Sequence, residues 1–80
     1  MSRRREEQDI IDKTILEMLS RGHVHWADLE KKVLATCQPF VTSPRFDRRL
    51  RYLLKKGYVE RVSRGVYRIT EKGKKYMEII

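Results

Sequence analysis

One cysteine, Cys37, is all the sulfur chemistry that this 80-residue chain can draw on apart from its methionines. A single thiol excludes an internal disulfide and any multi-thiolate zinc site, two devices on which small domains often rely, so stability has to come from packing. No apolar stretch approaches the ~18–20 residues that span a bilayer, and the basic start Arg3-Arg4-Arg5 runs into acids instead of an apolar signal core. No membrane association and an intracellular location are expected. There is no repeat, low-complexity tract or interdomain linker, and at this length one small domain, 1–80, with a modest core is expected. Catalytic patterns are missing as well. No Ser/His/Asp or Cys/His arrangement, Gly-rich phosphate loop or paired carboxylates can be assembled, so the chain does not read as an enzyme and no cofactor is implied.

What the chain does have is charge. Charged residues make up 38% of it and the formal net charge is +8, against ~25% charged residues in an average domain. A positive balance points to a polyanionic partner such as nucleic acid, and is also compatible with an anionic membrane surface or with simple solubility. The distribution is more informative than the total. From Met1 to Ser43 seven basic residues are balanced by seven acids, whereas from Pro44 to Ile80 twelve basic residues face four. All of the excess lies in the second half, which is the pattern of a footprint.

Hydrophobic spacing divides the chain into segments. A helix is predicted over about 6–21, with Ile11, Ile15, Met18 and Leu19 recurring at helical intervals and Gly22 where a C-terminal cap belongs. His23-Val24-His25 reads as an extended connector or one edge strand. A second helix, about 26–37, carries Trp26, Leu29, Val33, Leu34 and Cys37 on one side and is stopped by Gln38-Pro39. The third helix, about 43–57, has Ser43 as N-cap, Pro44 at the first helical position and Gly57 at the end. At 100° per residue Phe46, Leu50, Leu53 and Leu54 fall within one arc of about 100°, with Arg45, Arg48, Arg51, Tyr52 and Lys55 opposite. Two alternating segments around Ser63-Arg64-Gly65 make a β-hairpin over about 58–69. Thr70 then caps a last helix, about 71–80, with Tyr76, Met77 and Ile80 as its apolar stripe.

In this order of elements, the stretch from Phe46 to Arg61 resembles the recognition helix, glycine and first wing strand of winged helix-turn-helix DNA-binding domains, as found in MarR-like and related small prokaryotic transcription regulators. Ser63 to Gly73 is similar to the wing and to the family's ending of tyrosine, a basic residue, leucine or isoleucine, threonine and, three residues on, glycine. The second stretch also resembles winged-helix modules attached to some restriction enzymes. The resemblance covers about Ile11 to Tyr76. It implies an α+β, mostly α, fold with a three-helix core, a two-stranded hairpin wing and a C-terminal helix. One departure is the connection Gln38 to Thr42, longer than the three or four residues common in the family.

Carried onto this sequence, the resemblance implies a double-stranded DNA partner, with the third helix in the major groove and the wing at 63–65 on the backbone or in the minor groove. Ser43, Arg45, Arg48 and Arg49 are then the expected contacts at its N-terminal part, with Arg45 and Arg48 assigned to bases and Arg49, Tyr52 and Lys55 to phosphates. Arg64 is placed for phosphate or a narrow minor groove. A regulator of this kind would be cytoplasmic and nucleoid-associated. A small reader gains specificity from two copies on adjacent half-sites, and Ile10 with Tyr76, Met77, Ile79 and Ile80 offers apolar surface for a homodimer. The alternative is a protein-interaction or RNA-binding winged helix in a larger transcription, repair or ribosomal assembly. His23, His25, Asp28 and Cys37 form no established zinc pattern, so no metal is expected.

Overall fold

Helix α1 (Arg3–Leu19) buries Ile11, Ile15, Leu16 and Leu19, a stripe at helical spacing. The computed structural model describes residues 3–80; Met1 and Ser2, the first residues of the expected 1–80 domain, lie outside the described residues. At its end the helix tightens. The amides of Arg21 and Gly22 donate to Met18 and Leu19 three residues back, and Gly22, at φ 144°, turns the chain away.

The short strand β1 (Val24–His25) leads directly into α2 (Trp26–Thr36), where His25 is the N-cap and its Nδ1 accepts the Ala27 amide at 3.1 Å. Leu29 and Val33 point into the core, while Trp26, expected on that same side, is 44% exposed. Being the first residue of the helix, it lies at the edge of the bundle, against the hairpin.

Helix α3 (Ser43–Lys55) starts one residue earlier than its expected cap implies. Thr42, in extended conformation, is the N-cap, and its hydroxyl accepts the Arg45 amide at 3.3 Å, so Ser43 lies inside the first turn. At the other end the amides of Gly57 and Tyr58 donate to the carbonyls of Leu54 and Leu53, a Schellman closure that requires the positive φ of Gly57, 80°.

The hairpin of β2 (Val59–Ser63) and β3 (Val66–Ile69) pairs Val59 with Ile69 and Arg61 with Tyr67, with a bulge between Arg61 and Ser63. The wing is not merely two-stranded. β1 pairs antiparallel with the other edge of β3, Val24 opposite Tyr67, giving a three-stranded sheet in the order β1-β3-β2. The unpaired backbone groups of β3 attract the extended His23-Val24-His25 segment. The Trp26 amide extends this attachment by donating to Gly65 O at 2.7 Å.

Helix α4 (Glu71–Ile79) is capped by Thr70, which accepts the Gly73 amide at 3.0 Å and donates its hydroxyl proton to Gly57 O at 2.6 Å. A Cβ on Gly73 would lie 2.0 Å from the Tyr58 carbonyl oxygen, so only glycine permits α4 to rest on the α3–β2 turn. The threonine and glycine of the 70–73 ending are thus one joint between α3, the hairpin and the last helix. Ile11, Ile15, Leu16, Leu29, Val33, Phe46, Leu50, Leu53 and Val59 close the core beneath it. The result is an α+β, mostly helical, winged-helix architecture.

Candidate nucleic-acid interface

Helix α3 has three sides, not two. Phe46, Leu50 and Leu53 face the core. A second side lies against α1 and holds Arg45, Arg49 and Tyr52. The Arg45 guanidinium donates from Nη1 to Glu7 Oε1 at 2.9 Å and to Phe40 O at 2.7 Å, and from Nη2 to Arg4 O at 3.3 Å. Arg49 makes a two-pronged contact with Asp12, Nε to Oδ1 at 2.8 Å and Nη2 to Oδ2 at 2.6 Å. Its guanidinium carbon stands 4.3 Å from the centre of the Tyr52 ring.

Asp12 is fully buried, and the Tyr76 hydroxyl donates to its Oδ2 at 3.4 Å, so one carboxylate joins α1, α3 and α4. Loss of water around this carboxylate raises its pKa above 3.8, more than the Arg49 hydrogen bond and charge pull it down. The Arg49 pKa is raised as well, first by its hydrogen bond to Asp12, which holds the guanidinium more firmly protonated. Tyr76 is pushed up to about 12, first by burial and then by the Asp12 charge. Burial of the carboxylate thus consumes much of what the pair returns. The network's contribution is directional: it fixes how α3 is rotated about its own axis against α1.

The third side faces solvent. Ser43, Arg48 and Lys55 are exposed, and neither cation forms an ion pair among the described residues. Arg51 is paired with Asp47 at 2.9 Å, with 78% and 53% of the two side chains exposed, an arrangement that screening renders weak. Arg64 is exposed at the tip of the wing next to Gly65, whose φ of 75° and close approach to the His25 and Trp26 rings hold the turn in place. Elsewhere in the basic half, Arg68 is bonded to Glu60, Lys74 to Glu71 at 3.2 Å, and Lys72 lies over the Tyr58 ring.

Of the expected contact residues, Ser43, Arg48 and Lys55 on α3 and Arg64 on the wing are exposed, Arg48 and Lys55 sharing one side of the helix at seven-residue spacing, whereas Arg45, Arg49 and Tyr52 lie toward α1. A residue that sequence reasoning passed over is Arg4. It lines an open groove of about 280 Å³ with Glu7, Gln8, Thr42, Arg45, Arg48 and Arg49. The run Arg3-Arg4-Arg5 was its only signal, and the acids of the same half balance that run in a charge count.

The surface expected for a dimer is divided likewise. Tyr76 stacks on Tyr58 with ring centres 4.1 Å apart, and it, Met77 and Ile80 pack against the domain's own core. Ile10 and Ile79 stay exposed, at 47% and 80%. His25 is occupied as a cap, and the buried Cys37 thiol reaches Thr14 Oγ1 at 3.6 Å. Among the described residues no helix is long and apolar enough to cross a membrane.

Residues 43–70, which span α3 and the whole hairpin, match the model of a family described as "Transcriptional regulator, AbiEi antitoxin". The match supports a DNA-binding transcription-regulator family in general and not the MarR-like group in particular. No curated protein and no solved structure matches the chain.

Proposed function

We propose that the protein is a double-stranded DNA-binding transcription regulator that acts by occupying its site, without catalysis. The observation that carries this reading is the exposed basic side of α3 at Arg48 and Lys55, with Ser43 exposed at the helix start and Arg64 at the tip of the wing, within the segment that resembles a transcriptional regulator. In this reading the first turns of α3 enter the major groove, where Arg48 bonds guanine or phosphate, Ser43 lies at the helix start and Lys55 meets the backbone. Arg64 meets phosphate or the minor groove. Arg45, Arg49 and Tyr52 act from behind, holding α3 at the angle that presents Arg48.

The test is duplex binding against salt. The logarithm of affinity should fall linearly with the logarithm of salt concentration, and each phosphate contact removed should reduce the slope by about 0.9. Unchanged affinity at low salt for the Arg48→Ala, Arg64→Ala double variant sinks the footprint. A second reading, a winged helix that docks protein, draws on a separate observation: the exposed Trp26 borders a groove with Phe46, Leu50 and Tyr67, rimmed by Glu30 and Asp47. It takes precedence if no salt-dependent duplex binding is found.

A further inference from the structure

We propose that the groove between the first turns of α1 and α3, walled by Arg4, Gln8, Thr42, Arg45, Arg48 and Arg49, seats one phosphodiester of the DNA backbone; this rests on the duplex-DNA reading above. The footprint then extends onto α1, in the half of the sequence whose charges cancel. Four arginines line the groove and Glu7 is its sole acid. That acid is already neutralised, since Arg45 holds its carboxylate at 2.9 Å. The lining therefore has a surplus of positive charge that forms no ion pair among the described residues.

The donors are also of the right kind. Arg45 and Arg49 are committed to Glu7 and Asp12, so the surplus charge of the wall is that of Arg4 and Arg48. Arg4 and Arg48 form no ion pair among the described residues and are exposed, one on α1 and the other on α3. The Thr42 hydroxyl accepts the Arg45 amide and keeps its own proton for another acceptor, and the Gln8 amide adds two N–H donors. A tetrahedral oxyanion with several acceptor oxygens suits such a set, and phosphate contacts of this sort fix the register of a reader on the duplex without reading sequence. Arg48 borders both this groove and the open face of α3, so a backbone phosphate seated here abuts the major-groove contact.

The experiment measures fluorescence anisotropy of labelled duplex DNA from low to physiological salt with the wild-type chain, Arg4→Ala, Arg4→Lys and, as a control, Arg3→Ala, whose side chain is exposed and does not line the groove. Arg4→Ala should reduce the salt slope by about 0.9, so that the wild-type advantage shrinks about threefold between ~50 and ~200 mM salt. Arg4→Lys should retain most of the slope and Arg3→Ala nearly all of it. A duplex scanned with single uncharged methylphosphonates should contain one position that weakens the wild type more than it weakens Arg4→Ala. The groove assignment is overturned if Arg4→Ala keeps the wild-type slope, if Arg3→Ala loses as much, or if no such position exists. Those results leave the DNA reading standing. Absence of salt-dependent duplex binding by the wild type overturns both.

Discussion

Arg48 and Arg49 are neighbours on one helix and interchangeable as letters, yet they belong to two different regions of the molecule. Arg49, on the side of α3 that faces α1, is held by both oxygens of a buried carboxylate, and Arg45 one turn earlier is held by Glu7 and a backbone carbonyl. Arg48, like Lys55 two turns on, stands in solvent and forms no ion pair among the described residues. A basic helix is thus both a clamp and a presented face. The acids that distinguish them, Glu7 and Asp12, lie more than thirty positions away in the chain. What separates a structural arginine from one available to a ligand is the partner across the interface, not its own helix.

Removing the clamp should have the largest effect. Arg49→Ala leaves the Asp12 carboxylate buried with only the Tyr76 hydroxyl, and should lower stability by about 3 kcal/mol in urea unfolding. The double replacement Asp12→Leu, Arg49→Met should recover most of that loss, because the burial penalty of the charge disappears as well. If the single variant is as stable as the wild type, the two sides of α3 do not differ as described. Next comes the presented face: Arg48→Ala should leave the urea midpoint within experimental error and weaken binding to a cognate duplex by about 1–3 kcal/mol, read by anisotropy. A stability loss matching that of Arg49→Ala would erase the distinction from the other direction.

A smaller effect separates the two candidate caps. Thr42→Ala should lower stability by about 1 kcal/mol, whereas Ser43→Ala should change it by less than about 0.5 kcal/mol. The smallest effects are those of pH. Asp12 has a raised pKa in the folded chain, so the folded state binds the proton more tightly than the unfolded one, and Asp12's contribution to stability is greatest below pH 3.8 and declines as pH rises above it. Arg49→Met should raise the Asp12 pKa further in a carboxyl NMR titration, since the group that lowers it is gone. At alkaline pH, Tyr76 should ionise near 12, later than an ordinary tyrosine at 10.0. The stability it confers is fully present below 10 and is lost as pH climbs toward 12; absorbance titration of wild type against Tyr76→Phe should show the late step vanish.

Much of the fold is legible in the letters because its signals are local. The apolar stripes of α1 and α3, the Pro44 start, the Gly57 stop, the alternating hairpin and the Thr70 cap all depend on residues within a turn or two of one another. The differences arise where a remote group intervenes. Thr42 takes the cap from Ser43 because backbone conformation, not residue type, selects between adjacent hydroxyls. Trp26 follows the apolar period of α2 and still stands half in solvent, since the helix begins at the margin of the bundle. Tyr76, Met77 and Ile80 are as apolar as a dimer surface requires, and they are absorbed by the core and by Tyr58 and Asp12.

By itself the sequence determined the order of elements, the apolar face of each helix and the presence of a basic third helix followed by a basic hairpin, because periodicity and capping act over a few residues. Only the tertiary structure decided which cations remain available. Ion pairing operates over a few ångströms in space regardless of separation along the chain, and it withdrew Arg45 and Arg49 to α1 while bringing Arg4, from the half with no net charge, to the groove beside Arg48.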